Sequence, residues 1–303
     1  MRVIQVRPHA KINLGLRVLR RREDGHHEIQ TRFQTIDLLD EIEIAQRPQG
    51  LELQVSGGSV AADRTNLVFR AAEALQDTRR GVPGARIHLT KRIPVGAGLG
   101  GGSSDAAATL LALNHLWSLG LGYRDLTRIG SQLGADVPFF LCGGTALGRG
   151  KGDEIHPQPD LPPYRVCLLL PSFSSATADV YSMWDRERER TPSPGYDGNS
   201  RPEEDSQGAL GTVLNDLQPL VLSRHPELAV WLERLRRAGA CAASVSGSGS
   251  SLFGLFREET KAEATARGGD WEDVRAMICN FVSKSEYWMR LGVTPPEDAP
   301  RTP

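Results

Sequence analysis

Apolar and polar side chains alternate with period two in Val3-Ile4-Gln5-Val6, Ile12 through Leu19, Gln30 through Ile36, Asp40 through Ile44 and Leu51 through Val55, which predicts five early strands. The period then changes. Asn66 to Leu75 carries helical spacing, Ala85 to Thr90 returns to a strand, and a glycine-dense stretch follows. From Ser103 onward Ala106, Ala107, Leu110, Leu111, Leu113 and Leu116 recur largely at three- and four-residue intervals. This predicts a helix with Ser103 or Ser104 as its N-cap. Another helix is expected from about Tyr123 to Leu133, so the first half reads as α+β.

The Pro-rich stretch from Pro157 to Pro163 reads as a connector, which places a boundary near residue 160. Beyond it, Val166-Cys167-Leu168-Leu169-Leu170 is short and apolar enough for a buried strand. Residues 186–209 are charged, turn-rich and nearly devoid of apolar side chains, and are expected to form a mobile insertion. Helices near Leu217–Leu222, at Glu227–Arg237 and at Glu258–Arg267, and strands at Ala242–Val245, Leu252–Phe256 and near Ile278–Ser283, complete the expected order. The last residues, 291–303, read as a disordered tail.

Candidate chemistry concentrates in Pro94-Val95-Gly96-Ala97-Gly98-Leu99-Gly100-Gly101-Gly102-Ser103-Ser104, where five glycines fall in seven positions. Glycines allow φ > 0 and a close approach of the backbone, so successive N–H groups can turn inward on an anion, and the following helix N-terminus adds donors. A Walker A loop would need Gly-Lys-Ser/Thr at the junction, and Gly101-Gly102-Ser103 has no lysine. The dinucleotide fingerprint is matched literally by Gly96-x-Gly98-x-x-Gly101. The acid it requires about twenty residues on is missing from Leu116-Trp117-Ser118-Leu119-Gly120. A plain flexible turn is the remaining reading of the loop.

At 303 residues the chain exceeds a typical domain of roughly 100–200 residues, which favours two domains. A net charge of −1 with 24% charged residues gives no global basic field for nucleic acid. Cys142, Cys167, Cys241 and Cys279 are far apart, no Cys/His pair has metal-ligand spacing, and reduced thiols in a cytoplasmic protein are expected. Neither a secretory apolar region at the N-terminus nor a membrane span is expected.

Three segments, Pro8-His9-Ala10-Lys11-Ile12-Asn13-Leu14, the loop at 94–107 and Ser246-Gly247-Ser248-Gly249-Ser250-Ser251, resemble the three signature motifs of the GHMP small-molecule kinases. Two more, Arg22-Glu23-Asp24-Gly25-His26-His27-Glu28 and Leu133-Gly134-Ala135-Asp136-Val137-Pro138-Phe139-Phe140, are similar to those of the branch acting on a cytidine-diphosphate-linked methylerythritol. The resemblance covers roughly residues 8–256 in order. It implies a two-domain α+β kinase, with a ribosomal protein S5 domain 2-like unit over 1–160 and a ferredoxin-like unit over 161–290. It also implies ATP and Mg²⁺ as cofactors and phosphorylation of the 2-hydroxyl of that small-molecule substrate. Neither nucleic acid nor membrane is expected as a partner, and the chain is expected to be a monomer or weak homodimer.

By the same resemblance Lys11 and Asp136 are the catalytic pair. Asp136, between Leu133 and Pro138-Phe139-Phe140, is expected in apolar surroundings, with Lys11 holding it ionised; as a bare sequence feature it could equally be a helix N-cap before Val137-Pro138. The run Pro94 to Ser104 is implied to hold the ATP phosphates, helped by Gly247, Ser248 and Gly249, with Asn66 and Lys91 nearer the nucleoside. Asn13, His26, His27, Asp136, Thr177 and Tyr181 are implied on the substrate side, and the ligands of the magnesium stay open. His26 departs from the pattern, which has Tyr at this place. Another kinase of the family, a non-catalytic ATP-binding relative and a nucleotide-dependent oxidoreductase remain as alternatives.

Overall fold

A computed structural model describes residues 2–190, 210–269 and 271–300 of the chain. The alternating segments become strands β1 (Val3–Val6), β2 (His9–Arg21), β3 (His27–Leu39), β4 (Glu41–Arg47) and β5 (Leu51–Ser56), followed by α1 (Leu67–Gln76) and β6 (Gly84–Thr90). Three helices come next, α2 (Gly101–Leu116), α3 (Tyr123–Leu133) and the short α4 (Val137–Phe140), then β7 (Thr145–Arg149) and β8 (Glu154–Pro157). The second half runs β9 (Arg165–Pro171), α5 (Thr177–Arg190), α6 (Gln218–Arg224), α7 (Glu227–Arg237), β10 (Ala242–Val245), β11 (Leu252–Phe256), α8 (Glu259–Gly268), β12 (Val274–Asn280) and α9 (Lys284–Leu291).

Strands β1-β4-β6-β5 form one sheet, parallel only between β5 and β6, and β2-β3-β7-β8 form an antiparallel second sheet. The third sheet, β10-β11-β9-β12, takes its strands from the second half alone; its β-α-β-β-α-β succession is the ferredoxin-like arrangement. The β2–β3 ribbon joins the two halves: Phe33 packs with the α1–α3 core, while Leu16, Val18 and Ile29 pack with Leu217, Leu232 and Val245. Covered on both faces, β2 is buried continuously from His9 to Leu14, so its alternation shows only toward the open end.

Helix α2 is buried on every side from Ser104 to Leu113, against an expected one-faced helix. Its Ala-rich surface explains this, since small side chains let α1, α3 and the sheets approach from all directions. Helix α9 begins with a capping box between Ser283 and Glu286 and sends Tyr287 and Leu291 into the first core, with Val282 just before it. The segment expected to close the second unit thus returns to the first.

Two expectations of disorder are corrected. Residues 186–190 belong to α5, whereas 191–209 lie outside the described residues. The tail up to residue 300 is docked: Asp298 Oδ1 accepts from Tyr123 N at 2.6 Å, capping α3, and Pro300 O accepts from the Lys284 ammonium. Residues 301–303 lie outside the described residues. The expected strand near Ile278–Ser283 is shifted to Val274–Asn280.

Candidate active site

The glycine run leaves β6 through Lys91-Arg92-Ile93, where Asp40 Oδ1 accepts from Arg92 N at 2.5 Å and from Ile93 N at 2.9 Å. Gly96, Gly98 and Gly100 then adopt φ of +67°, +77° and +71°, conformations open to glycine at little cost. Ser246 Oγ donates to Gly98 O at 3.0 Å and Ser251 N to Ala97 O at 3.2 Å, so the Ser246–Ser251 hairpin loop braces the first loop from behind. A Cβ on Gly98 would strike the Ser246 carbonyl.

The N-cap of α2 is Gly100, not Ser103 or Ser104, and no side chain caps this helix. Its first N–H groups, on Gly101, Gly102 and Ser103, therefore keep their donors at the cleft, with the positive end of the helix dipole. Ser104 lies one step too deep: it is 1% exposed and its hydroxyl has no partner among the described residues. Gly249 also stays outside the cleft lining, turned toward Val245 and Val221, while Gly247 and Ser248 line it.

Lys11 and Asn13 occupy alternate positions of β2 and so share a face. Lys11 N donates to Leu99 O at 3.0 Å, fixing the strand beside the phosphate loop. The Lys11 ammonium lies 3.3 Å from Asp136 Oδ2 and donates to Asn13 Oδ1 at 2.6 Å. Asn13 Nδ2 in turn donates to Thr31 Oγ1 at 2.7 Å, and that hydroxyl donates to Gly15 O at 2.7 Å. The string holds the ammonium against Asp136 and leaves Asn13 one N–H for a substrate.

Asp136 stands at the N-cap position of α4 but makes no capping hydrogen bond. Its carboxylate is consequently free to serve the cleft. The expected apolar enclosure is only half realised. Val137, Phe139 and Phe140 behind it are buried, yet the Asp136 side chain is 31% exposed on its open side.

Lys91 also lines the cleft, with its ammonium already paired. Its ammonium bonds Asp40 and, at 2.7 Å, Asp105 Oδ2, all three side chains being buried. Burial pushes the Asp105 carboxyl well above its usual range, with the Asp40 carboxylate adding to it and the Lys91 ammonium opposing it. The ammonium itself is held above its ordinary value, because the pull of the two carboxylates outweighs the cost of its burial. The triad ties the strand entering the loop to the helix leaving it. Asn66 serves as N-cap of α1, its Oδ1 accepting from Val68 N at 3.0 Å, and still reaches the cleft wall.

At the far end, Thr177, Tyr181 and Asp185 recur every fourth residue on one face of α5. Thr177 Oγ1 lies 2.9 Å from Ser248 Oγ. The His27 ring stacks on Tyr181 with centroids 4.7 Å apart, meets Trp184 edge-on at 5.5 Å, and places Nε2 2.7 Å from Asp185 Oδ1. His26 stays largely exposed at the rim, Nδ1 3.4 Å from Asp24 Oδ1. His26, His27, Thr177, Tyr181, Asp185 and the phosphate loop line one continuous cleft of about 980 Å³.

Sequence reasoning overlooked Asp185, Thr31, Asp40, Asp105 and the cleft lysine Lys151 as parts of this site. The four-residue spacing of Thr177, Tyr181 and Asp185 was the signal for the first, hidden because residues from 186 on read as a disordered insertion. Thr31, Asp40 and Asp105 depend on contacts 14 to 51 residues apart, which no local pattern carries, and Lys151 joins the site only by lining the cleft. The oxidoreductase alternative fails on topology. Helix α2 leads into α3, and among the described residues no later strand lies beside β6, whose neighbours are β4 and β5.

Comparison with known proteins agrees with this geometry. The description "GHMP kinases N terminal domain" matches residues 66–144, and "GHMP kinases C terminal" matches residues 203–270. The 4-diphosphocytidyl-2-C-methyl-D-erythritol kinase of Moorella thermoacetica is 42% identical over 276 residues, covering 88% of this chain and 94% of its own. That of Solibacter usitatus is 45% identical over 258 residues, covering 84% and 81%. A crystal structure of 4-(cytidine 5'-diphospho)-2C-methyl-D-erythritol kinase superposes with a TM-score of 0.76 at 36% identity, over 92% of this chain and 99% of that one. A homoserine kinase from Cytophaga hutchinsonii, TM-score 0.67 at 20% identity over 93% and 95%, shares the fold.

Proposed function

Because this chain belongs to the 4-diphosphocytidyl-2-C-methyl-D-erythritol kinases, within the GHMP kinases, we propose that its cleft transfers the γ-phosphoryl group of ATP to the 2-hydroxyl of 4-diphosphocytidyl-2-C-methyl-D-erythritol, in the non-mevalonate route to isoprenoids. The observation that carries the reading is the Lys11–Asp136 pair, 3.3 Å apart, in the same cleft as the phosphate loop and the aromatic wall. Phosphoryl transfer to an alcohol needs little covalent chemistry from the protein beyond positioning, charge stabilisation and a group that takes the hydroxyl proton. Asp136 takes that proton as the substrate oxygen bonds to the γ-phosphorus and the bond to the β-phosphate oxygen breaks. Lys11, held by Asn13, pairs with that carboxylate and steers the attacking oxygen.

The main-chain donors of Gly101, Gly102 and Ser103 receive the triphosphate, with Gly247 and Ser248 lining the same cleft and Asn66 toward the nucleoside. Lys91, at the cleft wall, anchors the loop through Asp40 and Asp105. A nucleotide-borne magnesium ion needs only one or two protein oxygens, because phosphate and water fill its other positions, and the Ser103 hydroxyl at the cleft is a fitting donor. When bound, that ion neutralises charge developing on the phosphates. His26, His27, Thr177 and Tyr181 take the cytidine end. Among the described residues no helix is long and apolar enough to cross a membrane. We read the enzyme as cytoplasmic, a monomer or weak homodimer, serving a small molecule with no nucleic-acid or membrane partner.

The decisive experiment couples ADP release to a spectroscopic readout with the cytidine-diphosphate methylerythritol substrate beside homoserine, mevalonate and galactose. Turnover confined to the first supports the reading. A higher kcat/KM for any of the others would sink it.

A further inference from the structure

Resting on that substrate reading, we propose that Asp185 is a positioning residue that makes His27 select cytosine over uracil. His27 Nε2 stands 2.7 Å from Asp185 Oδ1. A carboxylate only accepts, so Nε2 carries the hydrogen, and in the uncharged ring Nδ1 is left with its lone pair. The other oxygen, Asp185 Oδ2, lies 3.6 Å from Arg21 Nη1, so the carboxylate is held from both sides. Stacking on Tyr181 and the edge contact with Trp184 fix the ring plane and leave the His27 side chain 7% exposed, and a half-turn within that plane would lose the bond from Nε2 to Asp185.

His27 lines the cleft, and among the described residues Nδ1 has no hydrogen-bond partner. A base edge meeting that nitrogen must therefore donate. Cytosine presents a 4-amino group, whereas uracil presents a 4-carbonyl oxygen that would oppose lone pair to lone pair. The carboxylate two bonds removed from the substrate thus sets the preference, by fixing which ring nitrogen bears the proton.

The test measures kcat/KM for the cytidine-diphosphate and uridine-diphosphate forms of the substrate in the wild type, Asp185→Asn and Asp185→Glu. An asparagine amide can donate to Nε2 and release the opposite tautomer. The cytidine-to-uridine preference is then expected to fall by about tenfold or more in Asp185→Asn, through KM for the cytidine form and not KM for ATP, with Asp185→Glu retaining part of it. A merely structural role would lower both forms alike. Nitrogen-15 spectra of the wild-type ring, assigned with His27→Gln, give a readout free of substrate and of variant folding: Nε2 protonated and Nδ1 bare. An unchanged preference in Asp185→Asn with normal wild-type turnover, or a protonated Nδ1 facing a bare Nε2, overturns the inference alone. A wild type that ignores the cytidine form overturns the function with it.

Discussion

Gly100 offers a quantitative test of how the loop and the catalytic pair depend on each other. At φ +71° an alanine Cβ would sit 2.9 Å from Phe140 Cε2 and Cζ and 3.1 Å from Lys11 Cε. Carbon atoms rest about 3.5–4.0 Å apart, so ring and lysine stem must each retreat by roughly half an ångström. The left-handed conformation costs an alanine roughly 1–2 kcal/mol, and overpacking adds about 1–3, for a total of about 2–5 kcal/mol. At about 2 °C per kcal/mol the melting temperature of Gly100→Ala is expected to drop by roughly 4–10 °C. Since the displaced stem carries the ammonium that faces Asp136, kcat should also fall, by about 10- to 100-fold. Gly102→Ala is the control: its φ is helical, its Cβ would meet only Leu67 Cδ1 at 3.4 Å, and alanine favours the helix. Thermal melts, calorimetry with a non-hydrolysable ATP analogue and steady-state kinetics on both variants decide the matter. Gly100→Ala melting with the wild type and turning over within about twofold of it, or Gly102→Ala losing as much in melting temperature, would refute the reasoning.

Asp136→Asn is expected to lower kcat by about 10²–10⁴-fold with little change in ATP affinity, and near-normal turnover by the folded variant would remove Asp136 from its role. His9 is buried, its Nε2 lacks a partner, and burial pulls its pKa down to about 4. Because the unfolded chain binds that proton near pH 6.5, the stability His9 contributes is complete above pH 6.5. It falls by about 2 kcal/mol by pH 5, so denaturant melts of His9→Phe should lack that part of the pH slope. Asp298→Ala removes the cap from the α3 N–H of Tyr123 and should lower the midpoint of denaturant melts while kinetics stay unchanged; an unmoved midpoint would show the docked tail to be decorative.

Local chemistry made much of this protein legible in its residues. Period-two and helical spacing located most strands and six helices, because half-buried elements display their faces in sequence. The glycine run, Lys11 and Asp136 were recognisable because their roles need particular residue types in particular neighbourhoods. Capping was misread at Ser103 and Ser104 because Gly100 takes the N-cap with a left-handed backbone, a conformation a sequence permits but does not impose. Only the tertiary structure decided that Lys11 meets Asp136 across 125 residues, that Lys91 is spent on Asp40 and Asp105, and that Asp185 grips His27. It also decided that residues 284–300 return to the first core and to α3 instead of fraying. Such contacts join residues distant along the chain, and their energy appears only when burial brings the partners together, whereas periodicity and turn chemistry act between near neighbours in sequence.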